Sequence, residues 1–387
     1  MDAKSKSDIS EKPSSAIQPS AGNTPDDQRK SKLEEGATAL TETSKTKAAD
    51  SVVLVNQIKG VLYGNCIGDA IGLLTEFMDK QEAQLSYGVG ADLEYKQKVF
   101  DGHRCHWKEG DWTDDSDQMI LILRTLVHNH GKFDEKDFAN KLKYWVRHGY
   151  PELGDTGGCG LGRTTASVLS HRDFLKDPHR AARDVWEGSG RYIAPNGGVM
   201  RTSILGTMEF YDLDKVIENT KNACMVTHAD PRCIASCVAV TIAIALMLQR
   251  KFELNNGEQN VEEIMKVAYC YAEKEIKDPQ HKKELKEHMF AESLDKLELD
   301  SQRAIGYTFK CMGAGFWAFR QKNFREAIQA ITMEAGDADT NCAVAGALLG
   351  CKVGFKKLPE SWVNGLYNRE WLEKEIKRYF EILALKY

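Results

Sequence analysis

Two short acidic segments, far apart in the sequence, carry the side chains best suited to chemistry. The first reads Thr-Asp-Asp at 113–115, and the second reads Asp-Ala-Asp-Thr at 337–340. Each places two carboxylates and a hydroxyl at the start of a predicted helix. Hard cations such as Mg²⁺ bind carboxylate, hydroxyl and water oxygens. The two segments together predict a metal centre, in which a pair of ions can hold both reacting oxygens of a displacement.

The alternative is that both segments are ordinary helix caps. Thr and Asp are the residues that cap helices, and a carboxylate complements the positive end of the helix dipole. A cap needs one such residue, whereas each segment supplies two carboxylates and a hydroxyl. We therefore favour the metal site.

The overall composition excludes several classes of protein. The 387 residues carry a net charge of −5, so no basic excess attracts nucleic acid or an anionic membrane. The ten cysteines are scattered, with no CxxC pair, which is typical of reduced thiols in an intracellular protein. Residues 1–6 lead to no apolar stretch, so we expect no signal peptide. The expected location is the cytoplasm, with the nucleus as the alternative.

The longest apolar run lies at residues 234–248. It is shorter than the ~20 residues that a membrane span needs. We therefore predict a buried helix and no membrane association.

The chain is predicted to contain a disordered segment and one helical domain. Residues 1–50 are rich in Ser, Thr, Lys, Glu, Asp and Pro and cannot bury enough surface to offset their ordering entropy. Residues 51–387 show a helical period and no βαβ rhythm, which predicts an all-α fold, a compact orthogonal multi-helix bundle. Residues 251–303 are strongly charged and are predicted to form helices at its periphery.

Small residues form a stripe on one predicted helix. The stripe consists of Gly60, Gly64, Gly68 and Gly72. Because glycine costs about 1 kcal/mol relative to alanine inside a helix, this spacing predicts close packing against another backbone or a cofactor. The helix after the second acidic segment repeats the pattern with Ala343, Gly346, Ala347 and Gly350.

Two carboxylates share the face of the glycine stripe. Asp69 and Glu76 lie two turns apart, which is unusual for simple packing. They are candidates for a site, and the alternative is that they bond to backbone amides at helix ends.

Three loops that lead into predicted helices are candidates for ligand binding. The glycine loop at 157–164 can direct backbone N–H groups at a phosphate, although it is neither a dinucleotide fingerprint nor a P-loop. The loops at 196–201 and 227–231 offer Asn, Arg and His side chains that can hydrogen-bond a sugar or diphosphate. The alternatives are a plain flexible loop for the first and a helix-start role for His228.

Taken in order, these segments resemble the ADP-ribosylglycohydrolase family. The resemblance covers roughly residues 55–355 and includes the glycine helix to Glu76, both acidic segments and the three loops. It implies an all-α fold with a binuclear Mg²⁺ centre, for which Mn²⁺ is a substitute. The metal ligands that it implies are Thr113, Asp114, Asp115, Asp337, Asp339 and Thr340.

The resemblance also implies a reaction and its residues. The metals would hold the distal ribose of ADP-ribose and position a water that hydrolyses the bond to an acceptor. Glu76 matches a glutamate that serves as general acid/base, and Asp115 is the second catalytic candidate. The implied substrate-binding residues are Gly160 and Gly162 along the diphosphate, and Asn196, Gly197, Met200, Arg201 and His228 along the ribose. The expected partners are ADP-ribose and ADP-ribosylated proteins or small molecules.

Three departures from the family pattern are small. Ser116 replaces a threonine and keeps the hydroxyl, Asp117 adds a charge that could face the second shell of the metals or solvent, and Cys342 replaces a smaller residue. No motif residue is lost, so a hydrolase is the leading interpretation.

Two alternatives remain open at this point. One is a catalytically silent ADP-ribose-binding or crystallin-like structural protein of the same fold. The other is a Mg²⁺ hydrolase acting on a different nucleoside diphosphate or phosphoester. A monomer is expected because no coiled-coil heptads are present.

Overall fold

The computed structural model describes residues 50–385, which fold into helices joined by loops and short 3₁₀ turns. In chain order the helices are α1 (50–72), α2 (Lys80–Tyr87), α3 (Asp114–His128), α4 (Glu135–His148), α5 (Arg163–Leu169), α6 (Pro178–Gly188), α7 (Val199–Thr202), α8 (Leu213–Met225), α9 (Pro231–Gln249), α10 (Val261–Glu273), α11 (Pro279–Met289), α12 (Thr308–Arg320), α13 (Phe324–Thr332), α14 (Ala338–Val353), α15 (Glu360–Gly365) and α16 (Arg369–Ile382). No β-strand is present within residues 50–385, so the predicted all-α class is confirmed. The disorder predicted for residues 1–50 falls almost entirely outside this range.

Helix α9 is the central helix of the core. Its residues from Arg232 to Leu248 are all buried, and α8, α10 and α12 pack around it. By length and composition it is the one helix in residues 50–385 that could cross a membrane, but 89% of its apolar window is buried inside the protein. The prediction of a buried helix here is confirmed.

Helices α1 and α14 are in direct backbone contact along the glycine stripe. A Cβ atom placed on Gly60, Gly64 or Gly68 would lie 1.9–2.1 Å from a carbonyl oxygen of α14. The contacts run in reverse order, from Gly60 against Gly350 to Gly72 against Ala338, so the two helices are antiparallel. The predicted close packing is confirmed, and its partner is a helix. This packing brings the end of α1 beside the start of α14.

The charged segment at 251–303 includes α10 and α11. Helix α10 packs against α9 through its apolar side, and α11 packs against α12. Most of the charged side chains of both helices point away from these contacts and are exposed or half-buried.

Candidate active site

The turn that follows α1 is attached to the turn that precedes α14. The amide of Phe77 donates to the carbonyl of Gly336 at 2.6 Å, and the amide of Gly336 donates to the carbonyl of Met78 at 3.0 Å. Because Glu76 and Asp337 adjoin these residues, the two backbone hydrogen bonds hold their carboxylates on the same side of the helix pair.

Asp69 attaches the first acidic segment to the same helix. Its two oxygens accept hydrogen bonds from the amides of Thr113 and Ser116, both at 2.9 Å. Burial raises the pKa of this carboxyl to about 7. Of the two interpretations of Asp69, the structure shows the bond to backbone amides at a helix start. Helix α1 therefore positions both acidic segments.

The two acidic segments meet in one cluster. The hydroxyl of Thr113 lies 3.1 Å from a carboxylate oxygen of Asp115 and 3.4 Å from one of Asp339. Glu76, Asp337 and Asp339 each offer a carboxylate oxygen within 4.8 Å of the other two. These distances suit a group of ligands around a cation.

The electrostatics of the cluster also favour a cation. Burial, followed by repulsion between neighbouring carboxylates, raises the pKa values of Asp114, Asp115 and Asp339 well above their usual range. One oxygen of Asp115 is buried and has no hydrogen-bond partner in the described part of the chain. Buried charges require a counter-charge or a metal ion. The residues present therefore fit a divalent cation.

The helix-cap alternative accounts for only part of this arrangement. Thr113 does cap α3, because its hydroxyl accepts from the amide of Asp115. Asp337 occupies the cap position of α14, but its side chain makes no capping hydrogen bond. It accepts instead from the side-chain amide of Asn196 at 2.9 Å.

His103 is a neighbour of Glu76 that the sequence did not indicate. Its Nε2 lies 2.5 Å from a carboxylate oxygen of Glu76, and its ring packs against Phe77. Burial raises the pKa of Glu76, and His103 opposes that shift. The histidine follows a loop without a recognisable motif, so nothing in the sequence linked it to Glu76.

A cavity of about 810 Å³ opens onto the acidic cluster. The site residues predicted from the sequence that line it are Glu76, Asp114, Asp115, Gly160, Gly162, Asn196, Gly197, Met200, His228, Asp337, Asp339 and Thr340. A volume of this size accommodates a nucleotide-sized ligand. Further along the wall are Tyr192, Arg232 and the segment 302–307, which the sequence did not indicate.

The glycine loop approaches the acidic cluster through Gly160. Its φ is +93°, and a Cβ atom there would lie 2.4 Å from a carboxylate oxygen of Asp114. Glycine alone tolerates both conditions. The loop therefore passes directly beside the cluster and leaves the cavity open.

Asn196 belongs to a wall that two segments build together. The backbone N–H of Asn196 donates to the carbonyl of Gly306 at 3.0 Å, next to an isolated β-bridge between Pro195 and Tyr307. The side chain reaches the cavity and also holds Asp337. Asn196 therefore connects the loop at 196–201, which the sequence predicted to bind a ligand, to the predicted metal ligand Asp337.

Arg201 does not line the cavity, contrary to expectation. It is fully buried, and its guanidinium donates to Gln118, Thr227 and the carbonyl of Ala223. Direct contact between this side chain and a ribose therefore has no support in the structure. The sequence pattern identified a residue of the loop but not the direction of its side chain.

Asp117 also differs from both expectations for it. Its two oxygens accept from the indole N–H groups of Trp112 at 2.8 Å and Trp145 at 2.9 Å. The side chain is thus committed to two tryptophans and neither faces solvent freely nor contacts the acidic cluster. Burial raises the pKa of this carboxyl as well.

Three known proteins with similar sequences have names that refer to the hydrolysis of ADP-ribosyl groups. The chain is 25% identical to the ADP-ribosylarginine hydrolase Tri1 of Serratia proteamaculans, over 84% of this chain and 79% of that protein. It is 25% identical to the ADP-ribosyl-[dinitrogen reductase] glycohydrolase of Rhodospirillum rubrum, over 84% and 94%. It is 23% identical to the ADP-ribosylhydrolase ARH3 of Bos taurus, again over 84% and 94%.

The fold has a known counterpart. A solved structure described as an ADP-ribosylglycohydrolase-related protein complex superimposes with a TM-score of 0.61 at 22% identity, covering 85% of this chain and 98% of that one. The family model for ADP-ribosylglycohydrolase matches residues 50–386. With its acidic cluster and adjoining cavity, this chain belongs to the ADP-ribosylglycohydrolase family, which includes hydrolases of linkages to ADP-ribose.

Proposed function

We propose that this protein is a Mg²⁺-dependent hydrolase that cleaves the glycosidic bond between ADP-ribose and an acceptor side chain or small molecule. The observation that carries the proposal is the meeting of the two acidic segments in one wall of a nucleotide-sized cavity. This arrangement supports chemistry at a metal-held ribose rather than a role in packing alone.

The proposed metal ligands come from both acidic segments. They are Thr113, Asp114, Asp115, Asp337, Asp339 and Thr340, with two ions as the proposed number and Mn²⁺ as a substitute. A divalent cation at such a site supplies orientation of the ribose hydroxyls and activation of water. One buried oxygen of Asp115 has no hydrogen-bond partner among residues 50–385, which supports its role as a ligand and as a catalytic residue.

Glu76 is the proposed general acid/base. Its carboxylate lines the cavity beside the acidic cluster, and burial raises its pKa against the opposing effect of His103. Cleavage of a riboside needs a proton for the leaving atom and a base for the attacking water. This position supports the assignment of both roles to Glu76 in turn.

The remaining wall of the cavity is the proposed ADP-ribose site. Gly160 and Gly162 would follow the diphosphate, where the absence of side chains admits a close approach. Asn196, Gly197, Met200 and His228 would surround the ribose and its neighbours. Direct contact by Arg201 is not part of the proposal.

The acceptor is proposed from the named relatives. Tri1 is named for ADP-ribosylarginine, and the Rhodospirillum rubrum protein for ADP-ribosyl dinitrogen reductase. An arginine linkage is therefore the first to test, followed by serine and O-acetyl linkages. We propose a cytoplasmic monomer that acts on ADP-ribosylated proteins or small molecules, without nucleic acid or membrane as a partner.

The test is a panel of ADP-ribose conjugates linked through arginine, serine or an O-acetyl group. The wild-type protein should release ADP-ribose from one linkage, and Glu76→Gln should lower kcat on that linkage by about a hundredfold or more. Tight binding of ADP-ribose without turnover of any conjugate would instead support the silent binding protein. Release of phosphate or AMP would support a phosphoester hydrolase.

A further inference from the structure

A continuous chain of buried hydrogen bonds joins a proposed metal ligand to a residue on the cavity wall. The side-chain amide of Gln118 donates to Asp114 at 2.6 Å and accepts from Arg201 at 2.7 Å. Arg201 also donates to the hydroxyl of Thr227 at 2.7 Å, and that hydroxyl lies 2.7 Å from Nδ1 of His228. Asp114 and His228 both line the cavity, whereas the guanidinium between them does not.

Arg201 occupies an unusual position for a cation. It is fully buried, its guanidinium lies over the ring of Phe138, and none of its hydrogen-bond partners within residues 50–385 is a carboxylate. Burying an arginine without a paired carboxylate is costly. A planar guanidinium that donates in two fixed directions can, however, orient two groups at once. Here the two groups are Gln118 and Thr227.

The orientation of Gln118 follows from Arg201. A guanidinium can only donate hydrogen bonds, so the amide oxygen of Gln118 must face it. The amide N–H then points at Asp114 and fixes one of its oxygens. The other oxygen of Asp114 lies beside Gly160 of the glycine loop.

The tautomer of His228 follows in the same way. The hydroxyl of Thr227 accepts from Arg201 and has no acceptor for its own proton in residues 50–385 other than Nδ1 of His228. A satisfied hydroxyl therefore donates to Nδ1, which leaves the proton of the neutral ring on Nε2. That nitrogen lies on the side of Gly197, where the cavity wall is formed.

We infer that Arg201 is a positioning residue that acts in two directions: through Gln118 it fixes the metal ligand Asp114, and through Thr227 it fixes His228 as a hydrogen-bond donor to an oxygen of ADP-ribose. The inference rests on the proposed function in taking Asp114 as a metal ligand and ADP-ribose as the occupant of the cavity. It assigns to Arg201 a role that needs no contact with either.

The test separates the two directions with two isosteric variants. Thr227→Val should weaken ADP-ribose binding about five- to tenfold, the worth of one hydrogen bond, and leave Mg²⁺ affinity within about twofold. Gln118→Met should weaken Mg²⁺ binding about tenfold or more, as loss of a ligand's supporting partner does. Both affinities are measured by calorimetry with MgCl₂ alone, and with ADP-ribose at saturating Mg²⁺.

The tautomer of His228 is a readout that a general loss of stability would not change. Long-range nitrogen–proton NMR correlation should find His228 protonated on Nε2 in the wild type and in Gln118→Met. Thr227→Val should yield a mixture, and Thr227→Ser should restore the wild-type pattern because it retains the hydroxyl. Thr125→Val is the matched control, since the Thr125 hydroxyl is also buried and its one hydrogen-bond partner among the described residues is the carbonyl of Leu121.

Two results would overturn the inference. One is an unchanged tautomer and ADP-ribose affinity in Thr227→Val, and the other is unchanged Mg²⁺ affinity in Gln118→Met. Neither readout depends on turnover. Failure to hydrolyse any conjugate would therefore refute the proposed function while leaving these outcomes able to support the inference.

Discussion

Neighbouring carboxylates of this protein have different roles because their partners differ. Asp114 and Asp115 face other carboxylates, and one oxygen of Asp115 has no partner within residues 50–385. Asp117 lies on the same helix, yet it accepts from two indoles. Identity and spacing in the sequence are thus insufficient to assign a ligand, and the hydrogen-bond partners complete the assignment.

This difference predicts opposite results for two conservative substitutions. Asp115→Asn should abolish measurable Mg²⁺ binding, because it removes the charge of a ligand, one oxygen of which has no hydrogen-bond partner in the described part of the chain. Asp117→Asn should retain wild-type Mg²⁺ affinity and lose about 1–3 kcal/mol of stability, because its amide group would oppose an indole N–H. Calorimetric titration and urea denaturation measure the two quantities. Equal loss of Mg²⁺ affinity in both variants would contradict the assignment.

His228 predicts a specific pH dependence of stability. Burial, with a contribution from the charge of Arg201, lowers its pKa from 6.5 to about 3. Between these values the unfolded chain binds a proton that the folded protein does not, so this residue makes stability fall as the pH falls below 6.5. When the pH falls from 7.5 to 5, the free energy of unfolding of His228→Gln should therefore fall by about 2 kcal/mol less than that of the wild type. Urea denaturation in EDTA at both pH values gives the comparison, and identical losses would contradict it.

At the scale of elements, the packing of α1 against α14 sets the geometry of the site. Glycines allow the two backbones to touch, and the antiparallel direction brings Glu76 beside Asp337. The same helix α1 holds α3 through Asp69. A small change in the separation of α1 and α14 is therefore expected to reach the acidic cluster.

Gly64→Ala tests this coupling. Its Cβ would lie 2.1 Å from the carbonyl oxygen of Gly346, so the helices must separate. We expect a loss of about 3 kcal/mol or more in the free energy of unfolding, at the upper end of overpacking effects, together with weaker Mg²⁺ binding. Gly188→Ala is the control, because its Cβ position in α6 has no atom within 4 Å from the rest of the described chain beyond its neighbours and its own helix backbone. That variant should stay within about 1 kcal/mol of wild type. Unchanged Mg²⁺ affinity in a folded Gly64→Ala would contradict the coupling.

Helical period and small-residue spacing were sufficient to predict the all-α class and the close contact of α1. They could not identify its partner, because any small-residue surface would satisfy the same pattern. The sequence also predicted the loop that carries Arg201 but not the buried direction of its side chain, which depends on Gln118 and Thr227 from other elements. His103 was missed for the same reason, since its contact with Glu76 arises only in the folded chain.

At the scale of the whole molecule, the acidic cluster is expected to cost stability in the absence of a cation. Several buried carboxylates repel one another in one cluster, a cost that other parts of the protein must offset. A cation that binds only the folded state would relieve this repulsion and stabilise the protein by mass action.

Asp339→Asn should be at least as stable as the wild type without the metal, and less stable than the wild type with it. In EDTA the variant should be at least as stable as the wild type, because one repelling charge is removed. At a Mg²⁺ concentration of about 100 times Kd, the wild type should gain about 2.7 kcal/mol and the variant much less. Thermal or urea unfolding under both conditions measures this. A wild type that Mg²⁺ does not stabilise would contradict the assignment of a metal to the cluster.

The most direct test of the account is product analysis on an arginine-linked ADP-ribose conjugate, in Mg²⁺, in EDTA, and after Mg²⁺ is restored. We expect release of intact ADP-ribose with Mg²⁺, loss of this release in EDTA, and its recovery when Mg²⁺ is restored. Release that continues undiminished in EDTA, or products limited to AMP and phosphate, would contradict the central claim of a metal-dependent glycohydrolase.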